Sequence, residues 1–228
     1  MNTYTIGEIV AQDYRTASVF KEAGIDFCCG GKKTITDACA EKGIDPENLI
    51  EKIGEVQSIH ETISHNFNEW EPGFLSDYIV NVHHRFVYNS MSELMEYTNK
   101  IAMVHGSRHP ELMEVAVLFS KINEDLLQHM KKEEEIVFPA IKEMFKNGSE
   151  KAKAIVNSEI SMLNSEHEFA GEAIDRISVL TDHYKIPADA CNTYRVTLGL
   201  LEKFEDDLHT HVHLENNILF PKAINEAN

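Results

Sequence analysis

Apolar residues recur at helical spacing along most of the chain, and strand-like alternation is scarce. From about residue 74 onward this pattern predicts four long helices, near 74–104, 110–146, 150–183 and 187–225. The breaks between them carry glycine or proline, at His105-Gly106 to Pro110, at Asn147-Gly148 and at Lys185-Ile186-Pro187. Short connections make successive helices antiparallel, so the pattern predicts an all-α fold built on an up-down four-helix bundle.

The first sixty residues follow a different pattern. Short segments are broken by Gly24, Gly30-Gly31, Gly43 and Asp45-Pro46, which predicts short helices near 5–11, 14–23, 33–42 and 46–60. A polar stretch follows and ends in the turn-forming Glu71-Pro72-Gly73. We therefore expect a small helical N-terminal domain over residues 1–65 and the bundle over residues 74–228.

Two bundle helices place a histidine and a glutamate where apolar core residues belong. The segments His129–Pro139 and His211–Pro221 share the form His-x3-Glu-x2-Ile-(Val or Leu)-Phe-Pro, which indicates an internal repeat. Residues four apart lie on one face of a helix, so each histidine shares a face with its glutamate. A buried carboxylate is costly unless it is paired or bound to a metal. Pro139 is expected to kink its helix, because it removes a backbone hydrogen bond.

The other two long helices each place one histidine in the apolar stripe. These are His83 and His167, while His84, about 100° round the helix, is expected on the flank. The pattern therefore brings six candidate ligands together: His83, His129, Glu133, His167, His211 and Glu215. Four imidazoles and two carboxylates suit two iron ions per chain, bridged by carboxylates and an added oxo or hydroxo group, whereas one zinc would leave ligands over. The alternative is a buried His–Glu hydrogen-bond network left by hairpin duplication.

The remaining histidines are given lesser roles. His209 and His213 lie about 200° from His211 and are expected to face solvent. His60, His65, His109 and His183 fall in linkers or near helix ends. His105 ends the first long helix, where it either caps the helix and its loop or acts near the metal.

The composition, above all the net charge, disfavours two classes of binding partner. The chain has 228 residues, 43% of them hydrophobic, and 38 acidic against 21 basic residues give a formal net charge of −17. Such a charge disfavours nucleic acid and anionic membrane surfaces as partners. No apolar run approaches the roughly 20 residues of a membrane helix, and Met1-Asn2-Thr3-Tyr4 begins no signal sequence, so we expect a cytoplasmic protein.

A vicinal cysteine pair is the second notable feature. Cys28 and Cys29 stand in Asp26-Phe27-Cys28-Cys29-Gly30-Gly31, which predicts an exposed, flexible turn. Thiols there could hold a soft metal, exchange an iron–sulfur fragment or take up nitric oxide, or they could simply be small residues that fill a turn. Cys39 and Cys191 are expected to be small buried hydrophobic residues. Four cysteines so placed do not form a disulfide framework.

Together these motifs identify a family resemblance that covers the whole chain. The Asp26–Gly31 run, followed by the repeated His-x3-Glu bundle, resembles the repair-of-iron-centres family of the YtfE and ScdA type, with a ScdA-like N-terminal domain and a hemerythrin-like domain. The resemblance implies di-iron ligands at the same six positions, repair of iron–sulfur clusters damaged by nitrosative or oxidative stress, and nitric-oxide chemistry at the metal. Oxygen-carrying hemerythrins have a fifth histidine where this chain has Gly171, which argues against a plain oxygen carrier.

Three functions remain open at this point. The first is repair of damaged iron–sulfur proteins, in which either iron or electrons leave the centre. The second is an enzyme that reduces nitric oxide, and the third is a non-enzymatic sensor of oxygen or nitric oxide. No catalytic residue is assigned beyond the candidate thiols Cys28 and Cys29. The oligomeric state is open, a homodimer included.

Overall fold

The structure, a computed structural model, describes residues 4–58 and 66–228, and these are almost entirely helical. The all-α fold class predicted from the sequence is confirmed. Among the described helices, none combines the length and the apolar character needed to cross a lipid bilayer. His60 and His65, which the sequence assigned to a linker, lie outside the described residues.

The N-terminal segment folds into four short helices, close to the predicted bounds. They are α1 (Ile6–Gln12), α2 (Ala17–Glu22, preceded by the 3-10 turn Tyr14–Thr16), α3 (Ile35–Lys42) and α4 (Pro46–Ser58). The first helix begins with a capping box, in which the Thr5 hydroxyl accepts from the Glu8 amide and the Glu8 carboxylate accepts from the Thr5 amide. Helix α3 ends at Gly43, whose left-handed backbone favours glycine.

Four long helices follow, and three of them contain a π-helical turn. Helix α5 joins Pro72–Ile79, the π turn Val80–His84 and Arg85–His105. Helix α6 joins Glu111–Lys132, the π turn Glu133–Val137 and Phe138–Asn147, and helix α7 is Glu150–Leu180. Helix α8 joins Asn192–Leu214, the π turn Glu215–Leu219 and Phe220–Ala227. A π turn holds one residue more than an α turn and is frequent at functional sites.

The connection between α7 and α8 is longer than the sequence predicted. Asp182, His183 and Tyr184 all adopt left-handed backbone, which ends α7 at Leu180 instead of residue 183. Helix α8 begins at Asn192, not at residue 187. Three left-handed residues in a row are costly for side chains with a Cβ, and buried Tyr184 helps to hold them by donating to Glu205.

The bundle core is divided into two apolar clusters. One contains Leu94, Phe119, Ile174 and Phe204, and the other contains Ile79, Ile141, Ile160 and Phe220. In each long helix the candidate ligands fall between the residues of the two clusters. The polar site therefore lies inside the bundle between two apolar layers.

The N-terminal helices pack directly on the bundle. Ile6, Phe20 and Phe27 belong to the same apolar cluster as Phe204 of α8, and Lys21 pairs with Asp206. Burial of aromatic and aliphatic side chains contributes most to such contacts, at roughly 1.5–3 kcal/mol for each large side chain. The N-terminal segment is therefore placed against the helix that carries one copy of the sequence repeat.

Candidate metal centre

The π turns of α6 and α8 follow from the sequence beside the candidate ligands. Each turn begins at the glutamate of the repeat, Glu133 or Glu215, and ends just before a Phe-Pro pair. Pro139 and Pro221 have no amide N–H, so neither can make the α-helical bond to the carbonyl four residues earlier. Helix α5 has its π turn without a proline, immediately before the Arg85 segment.

The structure brings six side chains into two overlapping groups. In each group the ligand atoms lie within 4.8 Å of one another, and every member is buried. Both groups contain Glu133 and Glu215; the first adds His84 and His211, and the second adds His129 and His167. The structure thus assembles five of the six residues selected from the sequence.

The sixth residue is His84, and His83, expected in this place from the sequence, belongs to neither group. In an α-helix His83 would follow Ile79 on the core face, but the π turn Val80–His84 adds one residue and moves His84 onto that face. Beyond the turn the buried residues are Val87 and Met91, whereas constant α-helical spacing puts Phe86 and Ser90 on the core face. A stripe drawn at constant α-helical spacing could not show this change of register.

His83 instead lies behind these six side chains, which we call the His–Glu cluster. Its Nδ1 is 2.9 Å from an Asp207 carboxylate oxygen, and its ring stacks parallel to His211 with centroids 5.9 Å apart. His83 is therefore an outer neighbour of the cluster, buried but directed at a carboxylate.

Three of the four inward histidines are oriented by an outer partner. The Nδ1 atom lies 2.8 Å from Glu134 in His84, 2.6 Å from Glu166 in His129 and 2.8 Å from the Asn216 amide oxygen in His167. Such partners fix the ring and leave Nε2 for the centre. Within residues 4–58 and 66–228, the Nδ1 atom of His211 has no hydrogen-bond partner.

The charges inside the cluster are strongly coupled. Burial alone would lower the pKa of His84 and of His129, but Glu133 and Glu215 overcome it and raise both values to about 10. Burial and the neighbouring carboxylate oppose ionisation of Glu133, yet the histidines hold its pKa at about 2. The same balance puts the pKa of Glu215 well below its ordinary value. Burial lowers the pKa of His211. Two imidazolium and two carboxylate charges thus neutralise each other when no metal is present.

The donor set fits metal ions. Within the described residues, both oxygens of Glu133 and one of Glu215 are buried without a hydrogen bond, although histidines lie within ion-pair distance. The Nε2 atoms of His129 and His167 are 2.8 Å apart, and those of His84 and His211 are 3.1 Å apart. Imidazole nitrogens and buried carboxylates directed at one another are the expected arrangement around bound cations.

The cysteine pair lies against the backbone of α7 at His167 and is not the exposed turn expected from the sequence. Cys28 is buried, Cys29 is half-buried, and the Cys29 Sγ lies 3.5 Å from the backbone oxygen of His167. A hydrogen bond with the Cys29 thiol and burial raise the pKa of Cys28 well above its ordinary value. A Cβ at Gly171 would lie 3.4 Å from the Cys29 Sγ, at the lower edge of ordinary van der Waals contact.

Two other histidine predictions change as well. His213, expected to face solvent, is fully buried, contacts the Phe27 ring, and has its pKa lowered to about 4 by burial. His209 is partly exposed and meets the same ring edge-on. Positional angles on an isolated helix could not show that the N-terminal segment covers this side of α8.

His105 has no contact with the cluster. Its Nε2 lies 3.1 Å from the Sγ of Cys191, at the start of α8. This contact supports a role for His105 in capping the helix and its loop over a role near the metal.

Cys191 is exposed, contrary to expectation, whereas Cys39 is buried as expected. His109 contacts Glu111 and Asp189 near a helix end, and His183 lies in the α7–α8 connection.

Comparisons with known proteins cover nearly the whole chain. Residues 2–57 match the family model ScdA_N, described as a domain of unknown function, and residues 76–223 match the model described as the hemerythrin HHE cation binding domain. The iron-sulfur cluster repair protein ScdA of Staphylococcus haemolyticus is 33% identical over 221 residues, covering 97% of this chain and 98% of that protein. The iron-sulfur cluster repair protein YtfE of Musicola paradisiaca is 34% identical over 223 residues, 96% of each chain.

Proposed function

Because the chain belongs to the family of the iron-sulfur cluster repair proteins ScdA and YtfE, we propose that it repairs damaged iron–sulfur clusters by donating iron held in its His–Glu cluster. The observation that carries the proposal is the pair of four-residue groups that share Glu133 and Glu215. Two groups joined by two carboxylates suit two iron ions per chain, carried as cargo for the client protein.

The residues with assigned roles are the inward ones. His84, His129, His167 and His211 would supply neutral nitrogen donors, and Glu133 and Glu215 would supply bridging carboxylates. The His83 ligand expected from the sequence is replaced in this proposal by His84. Bound iron would supply redox capacity and open positions for small molecules. Two carboxylates leave two iron ions under-neutralised, which favours an added oxo or hydroxo bridge and a cargo that can be released.

The cluster loses its own protons when it takes up iron. His84 and His129 each hold a proton at neutral pH in the absence of metal, since both have a pKa of about 10. A bound cation needs the neutral imidazole, so each of these side chains gives its proton to solvent on loading and regains it on release. Return of the protons restores neutrality inside the bundle, which supports a site that can stand empty between deliveries.

The proposal also names the partner proteins and the stress under which they are repaired. Damaged iron–sulfur proteins in the cytoplasm, under nitrosative or oxidative stress, are the proposed partners. Nitric oxide or dioxygen would reach the iron as a small ligand. Gly171 stands where oxygen-carrying hemerythrins have a fifth histidine, which supports nitric-oxide binding over reversible oxygen carriage. Reduction of nitric oxide at the same centre is the alternative function, and a gas sensor is the third.

The test is iron donation from anaerobically loaded protein to an iron-depleted iron–sulfur protein, followed by recovery of the client's cluster. We expect two iron ions per chain and cluster recovery with wild-type protein, and neither with the Glu133→Leu/Glu215→Leu variant. Glu135→Leu is the matched control, because Glu135 is exposed in the same π turn as Glu133. Full repair by the double variant would overturn the proposal. Repeated turnover of nitric oxide to nitrous oxide without client repair would favour the reductase.

A further inference from the structure

A second group of metal-suited side chains lies in the N-terminal segment. Asp26, Cys28 and Cys29 place a carboxylate oxygen and two sulfur atoms within 4.8 Å of one another. The two Sγ atoms are 3.9 Å apart, and the Cys28 Sγ is 3.1 Å from an Asp26 oxygen. Both cysteines are free thiols.

Two uses of the pair require different sulfur separations. A disulfide requires the sulfur atoms to approach to about 2.05 Å. Two thiolates on one tetrahedral ion, with metal–sulfur bonds of about 2.3 Å, stand roughly 3.8 Å apart. The observed distance matches the shared ion, and neighbouring cysteines form only a strained disulfide. A soft or borderline divalent cation is the ligand class that takes two thiolates and a carboxylate.

The turn that carries the thiols is held in place on both sides. The Asp26 carboxylate accepts from the backbone amides of Cys28, Cys29 and Gly30. On the bundle side, the Asn217 amide group donates to the carbonyls of Phe27 and Cys28, at 3.3 and 3.0 Å. The donor atoms are therefore fixed before any ion arrives, which lowers the cost of binding one.

The thiols lie beside the α7 backbone on one side and a cavity on the other. On the inner side, the Cys29 Sγ is 3.5 Å from the His167 backbone oxygen and faces Gly171 one helical turn further on. On the outer side, Asp26 and Cys28 line a cavity of about 480 Å³ between the N-terminal segment and α7–α8. Asp175, Glu205 and His209 also line this cavity, with ligand atoms within 4.8 Å of one another, and Lys21 pairs with Glu205 there.

We propose that Asp26, Cys28 and Cys29 form a transit site that takes a ferrous ion leaving the His–Glu cluster and passes it to the client protein. As a route for cargo, it rests on the proposed function. The step is a ligand exchange: iron–nitrogen and iron–carboxylate bonds break, two iron–sulfur bonds form, and each binding thiol gives one proton to solvent. The ion stays ferrous, so no electron moves and no oxidant is needed.

The binding half of the proposal is tested with cobalt. Co²⁺ is added without oxygen to the full-length, iron-loaded, reduced protein, and the difference spectrum is recorded. We expect a near-ultraviolet sulfur-to-cobalt charge-transfer band that saturates at one ion per chain. The band should disappear in Cys28→Ser/Cys29→Ser, weaken in Cys29→Ser and persist in Cys191→Ser, which removes an exposed thiol elsewhere. Cys29→Ser keeps the test valid if the double variant folds poorly, because Cys29 is the half-buried member of the pair and Cys28 the buried one.

The transit half is tested by the rate at which iron leaves. Loaded wild type and loaded Cys28→Ser/Cys29→Ser should contain the same iron, but the variant should deliver it to a ferrous chelator or a client about tenfold more slowly, the scale on which losing one metal-site partner acts. A cobalt band that survives in the double variant, or delivery at the wild-type rate, would overturn this inference alone. Donation by Glu133→Leu/Glu215→Leu would instead overturn the proposed function.

Discussion

The two copies of the sequence repeat have the same inner face and different outer faces. In both, the histidine and the glutamate four residues later point into the cluster, a π turn begins at the glutamate, and a Phe-Pro pair follows. The first copy turns its next two residues, Glu134 and Glu135, toward solvent or a half-exposed position. The second has Asn216 and Asn217 there, both half-buried, and Asn217 contacts the N-terminal segment.

This difference follows from what covers each copy. Glu134 supports His84 with a carboxylate that water still reaches, since its side chain is 30% exposed. Asn216 supports His167 with a neutral amide, and Asn217 bonds the backbone of the cysteine turn. Burying a carboxylate under protein costs several kcal/mol, whereas an amide with partners costs little. The residue types that face the metal site are thus the same in both copies because both serve the same ion site. The residue types next to them differ because only one copy is packed against the N-terminal segment.

The largest expected effect would show whether the copies act as one site. Since Glu133 and Glu215 each belong to both ligand groups, Glu133→Leu and Glu215→Leu should each lose both iron ions, not one. Iron per chain, measured on anaerobically purified variants beside Glu135→Leu, checks this. A stable single iron in either variant would show that the copies bind independently.

The next effect compares the outer partners. Glu134→Leu and Asn216→Leu remove the groups that orient His84 and His167, and each should weaken iron binding about 10–100-fold. Competition with a chelator at fixed pH measures it. We expect the same order of loss from both copies; an unchanged affinity in Asn216→Leu would mean that packing alone orients His167.

The third effect concerns His213, which is buried beneath the N-terminal segment in the second copy. We expect its burial to lower the free energy of unfolding by about 2 kcal/mol at pH 5. Burial lowers the pKa of His213 to about 4 from the ordinary 6.5, so the unfolded chain takes up a proton that the folded protein refuses. The contribution of His213 to the free energy of unfolding therefore falls as pH falls from 6.5 toward 4. The raised pKa values of His84 and His129 act in the opposite direction in the metal-free protein, so the measurement is the difference between wild type and His213→Gln. Denaturant unfolding at pH 7 and pH 5 should show a less favourable change toward pH 5 in wild type than in His213→Gln. His209→Gln, at the same Phe27 ring but partly exposed, should keep the wild-type dependence.

The smallest expected effect concerns the cover itself. Asn217→Ala removes the two bonds to the carbonyls of Phe27 and Cys28 and the packing against Gly7 and Gly31. Local opening of the cysteine turn should rise, and alkylation of Cys28 should accelerate about tenfold. Its counterpart in the first copy, Glu135→Ala, should leave the alkylation rate unchanged. Equal rates in Asn217→Ala and wild type would show that apolar packing holds the turn without the amide.

Most of the bundle and five of the six inward residues followed from the sequence. The repeat made this possible, because a histidine and a glutamate four apart stay together whatever the rest of the helix does. His84 could not be found this way, since a π turn without a proline leaves no sequence signal and changes the register within one turn. The burial of His213 and Cys28 depended on docking between distant segments, which helical periodicity does not report.

The π turns also affect how this chain can change over evolutionary time. Each turn amounts to one inserted residue, because position i+5 in a π turn takes the face that position i+4 has in an α-helix. A single-residue deletion inside Glu133–Val137 would therefore restore regular α-helix and leave Phe138 and Ile141 in the apolar layer that they fill. An insertion of this kind can be gained or lost without rebuilding the core beyond it, and its effect is confined to the turn that begins at Glu133.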